Sequence, residues 1–395
     1  MLSREPSRRR VREQAAVERH RAVVVGAGPA GLATAAMLGR AGISSIIVEK
    51  RGAPGATWRE HYERLHLHTV RRLSGLPGMA IPRSAGRWVS KEDLANYLET
   101  YARRHRLEVR TWTEVFRIGR SDRQWLLETS EGPMLAELVV VATGFNREPV
   151  IPSWPGREGF TGELIHSSRY RNARPYIGRD VLVVGTGNSG AEIAVDLAEG
   201  GARRVWLSFR TPPNILRREV GGVPTQAIGI LMRRLPVPLV DGLTAVVQRA
   251  TIPDLGEFGL PRPSRGMYRR LLEDDLIPVL DVGLIEAVRR RDVTPVAALT
   301  AFVGAEVVLE DDRRLRPHAV VAATGFRRGL EPLVGELGVL GPGGRPVVHG
   351  GQTHPNAPGL YFIGYTNPLS GNLRELGIDA KRIARAIAGA AKRSD

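Results

Sequence analysis

Two stretches of this chain have the make-up of a backbone built to approach a diphosphate. RAVVVGAGPAGLATAAML (21–38) and VLVVGTGNSGAEIAVDL (181–197) each run from an apolar segment through G-x-G-x-x-G into small residues at helical spacing. The order predicts a strand turning into a helix, with glycines that let the backbone approach a dinucleotide pyrophosphate and a helix N-terminus that faces its charge. The candidate contacts are Gly26, Gly28, Ala30 and Gly31 in the first copy, and Gly185, Gly187, Asn188, Ser189 and Gly190 in the second.

The residues that follow separate the two ligands. ISSIIVEK (43–50) reads as a strand ending in Glu49, 49 − 31 = 18 positions past the third glycine; RVWLSFR (204–210) ends in Arg210, 210 − 190 = 20 positions past its own. A carboxylate accepts hydrogen bonds from ribose hydroxyls but repels a 2′-phosphate by about 4 kcal/mol per unit charge pair at ~4 Å and an effective dielectric near 20. Glu49 therefore suits FAD or NAD. Ser208 and Arg210 suit the 2′-phosphate of NADPH, because a guanidinium pairs well with phosphate. FAD in one half and NADPH in the other would pass a hydride into flavin. The chain has no cysteine, which closes the route to a redox dithiol. A separate partner such as a quinone or an iron-sulfur protein, or molecular oxygen, remains as acceptor.

The elements that must hold these residues also occur twice. After each glycine motif come a helix, a strand, short alternating segments that read as a β-meander (RTWTEVFRIGR and QWLLETSEG; VTPVAALTAFVGAEVVLEDD) and a strand ending in Ala-Thr-Gly-Phe, at 142–145 and 323–326. Duplication is the economical explanation. The expected fold is α/β, with two Rossmann-like dinucleotide-binding domains of three layers, each carrying a meander. We expect a basic flexible arm at 1–20, a discontinuous FAD domain at 21–165 and 318–395, and an NADPH domain at 166–317. Its segment 221–263 is expected to pack over a substrate entrance, with prolines 236 and 238 breaking any long amphipathic face.

Composition narrows the remaining classes. Net charge is +16, but of 57 basic residues only four are lysine and the arginines are spread along the chain, so a nucleic-acid role finds no module to support it. No run of 18 uncharged apolar residues occurs, and a cytoplasmic protein acting on a small molecule, with no metal site, is expected.

FTGELIHSSRY (160–170) fits F-x-G-x-x-x-H-x-x-x-Y through Phe160, Gly162, His166 and Tyr170, and resembles the fingerprint of the flavin-containing monooxygenases. From about Arg21 to Arg385 the chain is similar to the YUCCA-type branch of that family, through GATWREHYERLHLHTVRRLSGLP, YLETYARRH, IPVLDVG and GIDAKRIA. The arginine-rich composition looks bacterial. The resemblance implies a flavoprotein monooxygenase that uses NADPH and oxygen through a C4a-hydroperoxyflavin. Its substrate would be a small organic molecule: a 2-oxo acid like indole-3-pyruvate, a ketone, an amine or a sulfide. It also implies that Thr57 and Trp58 lie against the flavin, that Gly364 and Asn367 close over its ribityl chain and ring, and that Thr143, Gly144, Thr324 and Gly325 contact the cofactors where the chain crosses between domains. His68 would then be a catalytic donor beside the flavin. Arg171 stands where the fuller fingerprint has proline or aspartate, and 221–260 and 365–376 match loosely.

Overall fold

The computed structural model describes residues 17–232, 235–274, 276–368 and 370–391. In chain order the strands of its two main sheets are β1 (Glu18–Val25), β2 (Ile46–Val48), β3 (Glu108–Arg110), β4 (Val115–Ser121), β5 (Gln124–Thr129), β6 (Met134–Val141), β7 (Glu163–His166), β8 (Asp180–Val184), β9 (Arg204–Ser208), β10 (Val293–Val296), β11 (Ala319–Ala322) and β12 (Leu360–Phe362). The helices that matter for the site are α1 (Pro29–Arg40), α2 (Asn188–Glu199), α3 (Thr225–Met232), α4 (Val237–Thr251) and α5 (Asn372–Ala391).

Hydrogen-bond register makes the duplication explicit. The first sheet contains the parallel order β3-β2-β1-β6-β12, and the second the parallel order β10-β9-β8-β11-β7. Apolar runs such as Ala22–Val25 and Val181–Val184 are buried, as strands covered on both faces must be. The fifth strands come from opposite directions in sequence. β12 returns to the first sheet after the second domain is complete, whereas β7 enters the second sheet before its first glycine motif.

This moves the expected domain boundaries. The division at 165/166 cuts through β7, and the one at 317/318 assigns β11 to the wrong sheet. Both strands pair inside the second sheet, Glu163 with Ala319 and Val181 with Ala319, because only there are their backbone groups satisfied. The crossovers themselves are the short strands Glu148–Pro149 and Phe326–Arg327, which pair antiparallel with each other.

Other expectations shift by a few residues. β1 starts at Glu18, because Glu18–His20 find partners in Met134–Ala136; residues 1–16 of the expected arm lie outside the described residues. The first meander is β4-β5-β6. In the second, Val293–Val296 leaves the meander to pair with β9, and the antiparallel part is Leu299–Val303, Glu306–Leu309 and Arg314–Leu315.

α1 opens with Pro29, at a position whose missing N–H would have no intrahelical partner. Its small residues Ala33, Ala35 and Ala36 are buried in a cluster with Leu373, Ile383 and Ile387 of α5, so the chain's last helix packs on its first. Leu330, Leu333 and Val334 join the cluster on the sheet's other face, giving three layers.

Candidate functional site

The two glycine turns repeat one geometry. The first glycine of each lies in the left-handed region, Gly26 at φ +107° and Gly185 at +108°, where side chains are rarely tolerated. A Cβ there would stand 2.7 Å from the Ala142 carbonyl oxygen and 2.4 Å from that of Ala323, respectively. A Cβ on the third glycine, Gly31 or Gly190, would stand 1.9 Å from the carbonyl oxygen of Gly26 or Gly185. The repeated Ala-Thr-Gly-Phe segments thus supply the surface on which each turn packs. The second glycines differ. Gly28 and Gly187 are N-caps with φ −75° and −71° and no side-chain cap, and nothing among the described residues lies within 4 Å of a Cβ built on either. Open space above uncapped helix N–H groups is the cradle a pyrophosphate requires.

A cavity of about 830 Å³ begins at the first cradle. Gly26, Gly28, Ala30, Glu49, Thr57, Trp58, His68, Thr143, Gly144, Gly364 and Asn367 all line it, while Gly31 sits behind them against Gly26. Glu49 accepts from Ala27 N at 2.7 Å and Arg51 N at 2.9 Å; two of its four lone-pair positions stay open for hydroxyl donors. Thr143 Oγ1 is 2.8 Å from Tyr365 Oη, and Gly364 N donates to His349 Nε2 at 3.3 Å.

The opposite wall is apolar. Ile228, Leu231 and Met232 come from α3, Leu235 from the turn after it, and Leu243 and Val247 from α4. Pro236 caps α4 and Pro238 lies in its first turn, where no intrahelical donor is needed, so these prolines start a helix as well as separating two. Gln226 fastens this wall to the first domain: its Oε1 accepts from Val70 N at 3.0 Å and its Nε2 donates to Ser370 O at 2.8 Å.

Of the second motif only Asn188 reaches the cavity. Its side chain accepts from Leu280 N at 2.8 Å and donates to Pro278 O at 3.2 Å. Register also separates Glu49 from Arg210. Gly26 N donates to Val48 O and Gly185 N to Ser208 O, so Glu49 corresponds to Phe209, and Arg210 stands one residue past that position and two beyond the strand. It is exposed, and among the described residues no carboxylate pairs with it.

Three expected contacts are placed elsewhere. Ser208 is fully buried; its hydroxyl donates to Ala297 O at 2.8 Å and accepts from Leu299 N at 3.0 Å, which ties β9 to the second meander and leaves nothing for a phosphate. Thr324 Oγ1 donates to Val150 O. Gly325 O accepts from Val150 N at 3.1 Å and lies 3.0 Å from His166 Nε2. Both residues therefore lock the crossover ribbon and do not line the cavity. The fingerprint has the same structural work: Tyr170 Oη donates to Asp196 at 2.6 Å, and burial lowers the pKa of His166 against the raising effect of its Gly325 contact.

His68 lies on the strand His66–Val70 with its Nε2 2.9 Å from Oε1 of the buried Glu192 on α2. Its Nδ1 and Glu192 Oε1 are both buried with no hydrogen-bond partner among the described residues. Burial drives the Tyr62 phenol well above its usual range, and the nearby Glu192 carboxylate adds to the effect. Next to it, burial lowers His61 to about 4, helped by Lys91 and Arg171, so the ring is neutral near pH 7. Neither Tyr62 nor Glu192 was singled out from the sequence. The available signal was an acid among the apolar residues Ala191, Ile193, Ala194 and Val195 of a helix buried on most sides.

Comparison with known proteins follows the same lines. A family model described as pyridine nucleotide-disulphide oxidoreductase matches residues 23–215. A probable indole-3-pyruvate monooxygenase of Arabidopsis thaliana, YUCCA9, is 34% identical over 378 residues, covering 92% of this chain and 88% of that one. The indole-3-pyruvate monooxygenase YUCCA1 of Oryza sativa subsp. japonica is 33% identical over 351 residues, covering 87% and 86%. Among solved structures, a flavin-containing monooxygenase from Stenotrophomonas maltophilia superposes with a TM-score of 0.72 at 24% identity over 95% of this chain and 100% of that chain. An open cyclohexanone monooxygenase superposes with 0.70 at 22%, over 95% and 88%.

Proposed function

Because the chain belongs to the flavin-containing monooxygenase family, with YUCCA-type enzymes among its relatives, we propose that it is an NADPH- and oxygen-dependent monooxygenase. FAD occupies the first cradle and NADPH the second. The observation that carries this reading is continuity: one cavity runs from the first glycine turn past Trp58 and His68 to Asn188 of the second motif and the apolar wall of α3 and α4.

When bound, the flavin supplies the two-electron chemistry, taking hydride from the nicotinamide and activating dioxygen. The chain's own residues bind, orient and exclude water. The uncapped N-terminus of α1 receives the flavin pyrophosphate, and Glu49 takes the adenosine ribose hydroxyls. Thr57 and Trp58 flank the ring system, with Gly364 and Asn367 on the side of α5. The turn Gly185–Gly190 receives the pyrophosphate of NADPH, and Arg210 its 2′-phosphate. His68 lines the cavity wall. The apolar residues of α3 and α4 line the outer part of the cavity, where Leu231, Leu243 and Val247 are themselves exposed; a bound ligand that covers them would help exclude water, which is what separates oxygen insertion from peroxide release.

The substrate class that suits this wall is a small acid with an apolar body, a 2-oxo acid of the indole-3-pyruvate kind being the first candidate. Arg217 lines the same part of the cavity, its Nε donating to Thr251 O at 2.8 Å, and suits a carboxylate. Ketones, amines and sulfides are the other candidates.

The test is oxygen bookkeeping with labelled dioxygen. The enzyme turning over NADPH with indole-3-pyruvate and a ketone panel should place one labelled atom in product per NADPH oxidised. Full conversion of NADPH equivalents to peroxide, or electron delivery to an added quinone with no labelled product, establishes a reductase instead.

A further inference from the structure

We propose that His349 is a positioning residue for the flavin site: its Nε2 accepts the backbone N–H of Gly364, and Asp379 and Arg382 of α5 keep the ring in the orientation that leaves this acceptor available. The inference rests on reading the cavity as the flavin site and adds to it a side chain that stands behind the cavity wall.

Gly364 is where the chain leaves β12 and passes over the first cradle. Ile363 N still donates to Val141 O at 3.1 Å, so the ladder ends one residue before it. Gly364 lies at φ +90°, and a Cβ on it would stand 3.5 Å from Ala30 Cβ of α1 and 3.4 Å from Leu376 Cδ2 of α5. Its backbone therefore rests on the helix whose N-terminus opens the cradle, and the residue lines the cavity. Glycine has many alternatives to such a conformation, so the surroundings must impose it. Three contacts do so. Gly364 N donates to His349 Nε2 at 3.3 Å. Gly350 N donates to Phe362 O at 2.9 Å, which brings His349 alongside the turn. On the far side Tyr365 Oη lies 2.8 Å from Thr143 Oγ1.

The first of these contacts fixes the tautomer. A backbone N–H only donates, so Nε2 offers its lone pair and the proton of a neutral ring sits on Nδ1. Nδ1 lies 3.4 Å from Asp379 Oδ2, and a carboxylate there suits a nitrogen that carries a proton. Asp379 is itself only 6% exposed. Its Oδ1 accepts from Arg382 Nη1 at 3.0 Å and would stand 3.3 Å from a Cβ on Gly350, so a second glycine makes room for it. Asp379 and Arg382 are the charged groups that act on the ring among the described residues: burial and Arg382 lower its pKa, Asp379 raises it, and the balance lies below the ordinary value. The ring is then neutral near pH 7 and the acceptor is present. A second proton would set an N–H on Nε2 against the N–H of Gly364 and release the turn.

The test uses full-length protein carrying ¹⁵N-labelled histidine, with the His349 signals assigned by their loss in His349→Gln. Wild type near pH 7 should show the Nδ1–H form, and acid should protonate the second nitrogen while FAD affinity falls in step. His349→Gln carries an oxygen at the reach of Nε2, so it should bind FAD within about threefold of wild type and lose less affinity in acid. His349→Leu has no acceptor and should bind FAD roughly tenfold more weakly, with the KM for NADPH at saturating FAD within about twofold of wild type. A neutral wild-type ring protonated on Nε2 overturns the proposal by itself, even where His349→Leu fails to fold. So does a His349→Leu protein that binds FAD as tightly as wild type, or a loss that glutamine does not restore. A wild type that binds no FAD overturns the flavin reading and this role with it, whereas the other outcomes overturn the role alone.

Discussion

Gly31 sits so close over Gly26 that a Cβ on it would lie 1.9 Å from the Gly26 carbonyl oxygen. Backbone cannot yield that distance cheaply, so Gly31→Ala should lose flavin together with fold stability. Gly28 gives the opposite result. Its φ of −75° suits any residue and the space around it is open, so Gly28→Ala should leave the cofactor-free protein as stable as wild type or more stable by about 0.4–1 kcal/mol. It should nevertheless retain flavin poorly, since the methyl group occupies the pyrophosphate's approach. Thermal melts of cofactor-free protein beside flavin absorbance separate the two; a Gly28→Ala protein that stays yellow removes the cradle assignment.

Arg210→Ala should raise the KM for NADPH by about 10- to 100-fold, the equivalent of one charge-assisted contact worth about 1.5–3 kcal/mol. The KM for NADH should hardly move. Equal increases for both coenzymes would place the 2′-phosphate elsewhere.

Ser208→Ala should behave unlike Arg210→Ala despite lying two residues away. Its buried hydroxyl serves Leu299 N and Ala297 O, so removing it leaves a buried backbone donor unsatisfied at a cost of about 1–3 kcal/mol. A lowered melting temperature with an unchanged NADPH/NADH preference is expected; a changed preference with full stability contradicts the observed hydrogen bonds.

Acid should destabilise the protein through His61. Burial depresses its folded-state value to about 4 from the ordinary 6.5, so the unfolded chain binds the proton first and stability falls as pH drops from about 6.5 to about 4. The full effect is on the order of 3 kcal/mol. His61→Phe should flatten that limb of a denaturation-versus-pH profile, and an unaltered slope would show that the ring does not contribute.

Most of the architecture was legible in local sequence, because each signal for it is a short-range constraint. The two G-x-G-x-x-G turns, their flanking strands and the repeated Ala-Thr-Gly-Phe segments announce themselves through steric demands made within a few residues or between copies of one pattern. The place of Glu49 beside the first turn was readable for the same reason, being counted along the chain from a fixed turn, whereas the same count in the second copy passes the equivalent position, Phe209, by one residue to reach Arg210. What the sequence could not supply was the result of bringing distant segments together. Ser208 carries the same hydroxyl whether it faces a phosphate or Leu299 N, and only the placement of the second meander 91 residues away decides which. β7 and β11 join the second sheet because hydrogen-bonding partners await them there, a choice invisible in either strand alone. The approach of His68 Nε2 to Glu192 spans two domains, and Glu192 is buried only because segments distant in sequence pack over it: burial is a property of the assembled fold.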